Sequence, residues 1–130
     1  MKSKWTNHNG RRIFYTDFSG FGRDTAALRT EVDDVDAEIL RQPKDSVLAL
    51  ADLRGTVTGT EVVDLFKKSA KRTNGYVRKQ AVVGITGVQR ILASAVARFS
   101  GQSLHLFDTI EEANEWLAAD KSPGVEIEAQ

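Results

Sequence analysis

Residues Gln80 to Asp108, QAVVGITGVQRILASAVARFSGQSLHLFD, read as strand, turn, helix, turn, strand. AVVGI is a short apolar, β-branched run between polar residues. Val88, Ile91, Leu92, Ala95, Val96 and Phe99 then recur at helical spacing until Gly101 stops the pattern. SLHLF resumes an extended pattern. A strand that returns to its sheet through one helix lies parallel to its predecessor with a right-handed crossover, so the chain is expected to be α/β.

The flanking sequence extends that unit. Asn9-Gly10 lies between Lys4 to His8 and Arg11 to Asp17, and an Asn-Gly pair favours a type I′ hairpin because both residues tolerate positive φ. Thr25 to Arg41 follows as an amphipathic helix. Ala26, Leu28 or Arg29, Val32, Val35, Ile39 and Leu40 fall near one side, and Glu31, Asp33, Asp34, Asp36 and Glu38 largely on the other. Pro43 ends it. SVLALADL reads as a buried strand, Glu61 to Thr73 as a second helix leaving through Asn74-Gly75, and Ile110 to Ala119 as a closing helix. The expected architecture is a single-domain open mixed sheet with an N-terminal antiparallel hairpin, then parallel βαβ units, about five strands and four helices. The domain is expected to span residues 1–120, with 121–130 a mobile tail.

At 130 residues such a domain buries enough surface to need neither disulfides nor metal, in keeping with zero Cys. Missing cysteine excludes thiol catalysis and thiolate metal sites and favours a reducing compartment, so a cytoplasmic location is expected. No apolar run approaches the roughly 20 residues that span a bilayer. Eighteen basic residues balance eighteen acidic ones, but unevenly along the chain: Lys and Arg stand against Asp and Glu nine to nine over residues 1–60, eight to two over 61–100, and one to seven over 101–130. The basic middle is a weak pointer to an anionic partner. No nucleic-acid partner is expected.

In an open parallel sheet, ligands favour the carboxyl ends of the strands, where the N–H groups of the following helices collect. Asp17, Asp52 and Asp108 fall at such ends, as Mg²⁺-binding carboxylates do in receiver-like domains. Asp is also an ordinary turn residue there, and the lysine of receiver domains is missing from LHLFDTIEE, so no metal and no cofactor is expected. Thr58, Thr86 and Thr109 each precede Glu or Gln by three residues, the capping-box pattern, and capping explains all three without catalysis. Thr58, between Gly55 and Gly59, is also read as an accessible loop hydroxyl open to phosphorylation. Gly20-x-Gly22 lacks the third glycine and the acidic residue of a dinucleotide fingerprint and reads as a turn. His8 and His105 sit on strands with no evident nucleophile.

Two helical surfaces carry the binding expectation. Lys67, Lys68, Lys71 and Arg72 form a basic stripe on the second helix, opposite Val62, Val63, Phe66 and Ala70, and are candidates for an anionic membrane surface. Val88, Leu92 and Val96 belong to a wide apolar arc of the third helix and are candidates for the lining of an apolar pocket.

The segments RRIFYTDFSG, SVLALADLRGTVTGTEVVDLF, YVRKQAVVGITGVQRILASAVARFSG and LHLFDTIEEANEWL together resemble the SpoIIAA-like family, the small stand-alone branch of the STAS superfamily (sulfate transporter and anti-sigma-factor antagonist domains), also labelled STAS/SEC14 domain proteins. The resemblance covers roughly Trp5 to Leu117. It implies an open mixed sheet flanked by helices, no known enzymatic activity, and roles in binding lipids or other apolar ligands, membrane association or protein partners. Classical anti-sigma-factor antagonists carry an Asp-Ser phosphoacceptor at a strand-to-helix junction that corresponds approximately to Thr56 to Thr60, where this chain has Thr-Gly-Thr. Its Asp45-Ser46 pair precedes a strand instead. The expectation is therefore a non-enzymatic binding module for an apolar small molecule or lipid. The alternative is a regulatory protein-binding domain, with or without a phospho-switch near Thr58.

Overall fold

The structure is a computed structural model that describes residues 1–85 and 104–119. Asn9 and Gly10 have φ values of 51° and 79°, the paired left-handed geometry of a type I′ turn, and they join β1 (Lys4–His8) to β2 (Arg11–Asp17) in the expected register. The chain continues through α1 (Thr25–Leu40), β3 (Val47–Asp52), α2 (Thr60–Thr73), β4 (Val77–Val83), β5 (Leu104–Phe107) and α3 (Ile110–Ala118). The strands lie in the order β1-β2-β3-β4-β5; the first pair is antiparallel and the others are parallel. The mixed α/β sheet is thus as expected. The helix expected over Val88 to Phe99, the cap expected at Thr86 and the tail 121–130 lie outside the described residues.

Every residue of β3 is buried because both faces of the sheet are covered, which explains its uninterrupted apolar sequence. Val47, Ala49 and Ala51 face a cluster with Phe14, Leu28, Val32 and Leu65 under α1 and α2. Leu48 and Leu50 face Ile13, Ala81 and Val83, against Ala113 and Leu117 of α3. Thr109 Oγ1 accepts from Glu112 N at 3.1 Å and caps α3, as the spacing predicts, a bond of about 1 kcal/mol.

Helix α1 departs from the two-faced reading. Glu31 is buried and accepts from Lys2 N, Ser3 N and Ser3 Oγ at 3.0, 2.9 and 2.7 Å, which ties the N-terminus to the helix. Glu38 accepts from Trp5 Nε1 at 2.9 Å, and Asp36 is buried against α2. Leu40, expected inward, is exposed. The N-terminal segment and α2 bring hydrogen-bond donors to α1, so its covered arc includes acids whose burial is compensated.

Strand β4 begins at Val77, four residues before AVVGI. Its polar start escaped the apolar pattern. Lys79 is accommodated because its ammonium lies 4.2 Å from the Trp116 ring centroid and donates to the Trp116 carbonyl. Among the described residues no helix is long and apolar enough to cross a membrane.

Candidate functional site

The loops that leave β2, β3 and β4 are bonded to one another at the carboxyl edge of the sheet. Phe18 N donates to Asp52 O at 3.0 Å, Gly20 N to Arg54 O at 2.9 Å, Gly22 N to Gly55 O at 2.9 Å and Val57 N to Gly22 O at 2.8 Å. Thr56 staples the first two loops through its side chain: Oγ1 donates to Phe18 O at 2.5 Å and accepts from Phe21 N at 3.1 Å. The β4 loop joins through Leu53 N, which donates to Val83 O at 3.0 Å. Gly84, with φ +93°, lies so close to Arg54 that a Cβ would stand 2.6 Å from the Arg54 nitrogen. Only glycine fits there. On this platform Val57 is 42 % exposed, and the neighbouring α2 starts at an N-cap, Gly59, that makes no side-chain capping bond.

Beneath the platform, Asp52 is fully buried and holds four donors. Tyr15 Oη donates to Oδ2 at 2.5 Å, Arg54 Nη2 to Oδ2 at 2.8 Å, and Arg54 Nε and N to Oδ1 at 2.9 and 3.1 Å. Burial alone would raise the Asp52 carboxyl, but the bonds from Arg54 and Tyr15 outweigh it and hold the group below the usual carboxylate range. Burial, followed by the Asp52 hydrogen bond and charge, pushes the Tyr15 phenol up to about 12. The hydrogen bond to Asp52, then its charge, raises the Arg54 guanidinium further. A carboxylate held ionised with both oxygens occupied is an anchor and not a proton acceptor. It fixes Arg54, whose side chain is 61 % exposed, at the rim of the platform.

A half-enclosed cavity of about 100 Å³ lies between α1, α2 and the sheet, walled by apolar residues such as Phe18, Val35, Ile39, Leu53, Val62 and Phe66. Asp36, Ser69 and Thr73 also reach it. Asp36 joins α1 to α2: Ser69 Oγ donates to Oδ1 at 2.6 Å, and Arg72 Nε and Nη2 donate to Oδ2 at 3.0 and 2.5 Å. Burial raises this carboxyl, and the Ser69 and Arg72 bonds partly offset the rise.

Several expected site residues take other roles. The Thr58 cap with Glu61 does not form, because α2 begins at Thr60 with Gly59 as its N-cap. Thr58, expected accessible, is 8 % exposed and contributes to the cavity wall, and its buried Oγ1 has no hydrogen-bond partner among the described residues. Of the basic stripe, Arg72 is engaged by Asp36, and Lys68 pairs with Asp64 at 3.2 Å, one turn away. Lys71 is exposed, and Lys67 is half-buried with an interaction of its own. Val88, Leu92 and Val96 lie outside the described residues. Asp17 is engaged by Ser19 and Lys2, and the described residues contain no cluster of three or more His, Cys, Asp or Glu that could hold a metal ion. His8 pairs with Glu115 at 2.8 Å, and His105 packs at a tilt of 43° against Trp116 with ring centroids 4.4 Å apart. Tyr15 and Arg54 were not singled out in the sequence, and Thr56 entered only as the start of the Thr56 to Thr60 junction. The alternation of β2 places Tyr15 on one face with Asp17, but nothing local reports that β3 will bring Asp52 beside them.

No family model matches the sequence, and no curated protein does. Among solved structures, the chain is similar to an anti-sigma-factor antagonist (STAS) domain protein from Planctomyces limnophilus. The sequence identity is 16 %, the TM-score 0.51, and the match covers 89 % of this chain and 97 % of that one. The match runs over nearly the whole length of both chains, at an identity that speaks for architecture alone. The chain has a STAS-like, SpoIIAA-like fold.

Proposed function

We propose that this chain is a non-enzymatic regulatory module that binds a protein partner across the platform formed by the β2, β3 and β4 loops. The observation that carries the reading is the stapling of the β2 and β3 loops through Thr56, with Leu53 N bonded to Val83 O at the end of β4, which makes them one preorganised surface. Such a surface loses little conformational freedom on binding, so more of its contact energy appears as affinity. Val57 offers an apolar contact and Arg54 a cation already held in position by Asp52, which together suit a partner presenting a carboxylate beside an apolar side chain. The likeness to an anti-sigma-factor antagonist domain supports this class of role at the level of the fold.

Recognition here does not depend on a phosphate at Thr56 or Thr58. The Thr56 hydroxyl is already engaged twice, and the Thr58 hydroxyl is enclosed. A photo-crosslinking residue placed at position 57 in cells of the source organism should yield an adduct with a discrete protein. Excess wild-type chain should suppress that adduct, and excess Val57→Asp chain should not. The reading fails if position 57 gives no discrete adduct, or if the same adducts form from Asn7 on the far hairpin.

A further inference from the structure

We infer that the segment before β1 clamps the β2 loop in its partner-binding shape, with Lys2 as the positioning residue. The inference deepens the protein-partner reading and rests on it for the purpose of the clamp.

The segment is anchored away from the platform. Ser3 is buried, and the Glu31 carboxylate on α1 accepts from the backbone N–H groups of Lys2 and Ser3 and from the Ser3 hydroxyl. Three donors on one buried carboxylate fix both residues relative to α1. From that anchor the segment reaches the β2 side of the platform twice. Ser3 Oγ accepts from Asp17 N at 2.8 Å, at the last residue of β2. Lys2 Nζ donates to Ser19 O at 2.6 Å, stands 3.7 Å from Asp17 Oδ1 and lies 4.4 Å from the Phe21 ring centroid.

The loop needs such restraint. Gly20 and Gly22 have φ values of 74° and 58°, and glycine loses more conformational freedom than any other residue when it is held in place. Two sets of bonds oppose that freedom. The β3 loop and Thr56 hold the N–H groups of Gly20, Phe21 and Gly22, whereas Lys2 takes the Ser19 carbonyl and the Phe21 ring. Because Val57 N donates to Gly22 O at 2.8 Å, a shift of the β2 loop also shifts the apolar contact offered to a partner. Lys2 therefore acts on recognition through the loop, without lying beside Val57 in the sequence.

The test compares wild type, Lys2→Met and Lys2→Arg. Lys2→Met keeps an apolar stem and removes the ammonium, so the backbone order parameters of Ser19, Gly20, Phe21 and Gly22 should fall from about 0.85, the value of rigid backbone, toward about 0.6. Leu50 and Ala51 in β3 should keep their wild-type values, and Lys2→Arg, which retains a cation for the Phe21 ring, should keep most of the loop order. In competition for the position-57 adduct, the excess of Lys2→Met chain needed for suppression should rise roughly two- to fivefold, the scale of an exposed cation–π contact. Lys2→Arg should compete as wild type does. The inference is overturned if loop order is the same in wild type and Lys2→Met, if β3 loosens as much as the loop, if Lys2→Arg behaves as Lys2→Met, or if a loosened loop competes as well as wild type. A wild-type chain that yields no adduct defeats the partner reading instead, and the order parameters still decide whether Lys2 holds the loop.

Discussion

Removing the guanidinium of Arg72 should expose how tightly α1 and α2 depend on a buried charge. Asp36 is only 4 % exposed, and its Oδ2 depends on Arg72 while Oδ1 accepts from Ser69. Arg72→Met keeps the apolar stem over α2 and leaves the carboxylate with one donor. Breaking a fully buried pair costs about 3–5 kcal/mol; the Arg72 side chain is 44 % exposed, so solvent replaces part of its contribution and about 2–3 kcal/mol is expected at pH 7. The native Asp36 carboxyl already lies above its ordinary value because of burial. Between the unfolded value and that raised native value, the folded protein binds more protons than the unfolded chain, so this group's contribution to stability grows as pH falls through the window. Without Arg72 the native value rises further and the window widens upward. Urea unfolding at pH 7 and pH 5 should therefore show a smaller penalty for Arg72→Met at pH 5. The Asp36→Leu/Arg72→Met double variant should recover most of the loss. A penalty below about 0.5 kcal/mol at pH 7, within the usual range for an ordinary surface substitution, would refute the reasoning. So would a penalty identical at both pH values.

Gly84→Ala combines a left-handed backbone with a Cβ driven into the Arg54 backbone, and should lower stability in thermal unfolding by more than about 2 kcal/mol. Gly20→Ala has a similar φ of +74° but open space around it, so it should cost only about 1–2 kcal/mol; equal losses at the two sites would show that Arg54 does not crowd Gly84. In a Tyr76→Phe background, the ultraviolet titration of Tyr15 should show no tyrosinate until the pH approaches about 12, and a midpoint near 10 would mean that the bond to Asp52 is not made.

The sheet was legible because its signals are local. Asn9-Gly10 dictates its turn, VLALAD announces a strand covered on both faces, and Thr109 with Glu112 marks the start of α3. Long-range compensation was not legible. Glu31 and Asp36 look like solvent-facing acids on a helical wheel, and only the arrival of Ser3, Ser69 and Arg72 from elsewhere in the chain makes their burial tolerable. The same contact removes Arg72 from the basic stripe it seemed to join. Thr58 matched a capping box but stands one residue before the N-cap, because Gly59 turns the chain into α2 and leaves the threonine over the cavity. The cavity was not legible for a related reason: its described walls combine isolated residues of two helices, the sheet and its loops. Periodicity reports one face of one element and does not report which faces meet.

The central claim, that the stapled loops form the partner-binding face, is tested most directly by the affinity of the protein captured through position 57. Titration calorimetry should compare wild type, Val57→Asp and Glu112→Lys, the last at the start of α3 and outside the platform. A carboxylate forced into the centre of an apolar contact should weaken binding at least about tenfold, equivalent to about 1.4 kcal/mol, and Glu112→Lys should bind as wild type does. Equal affinity for wild type and Val57→Asp, with both folded, would contradict the account.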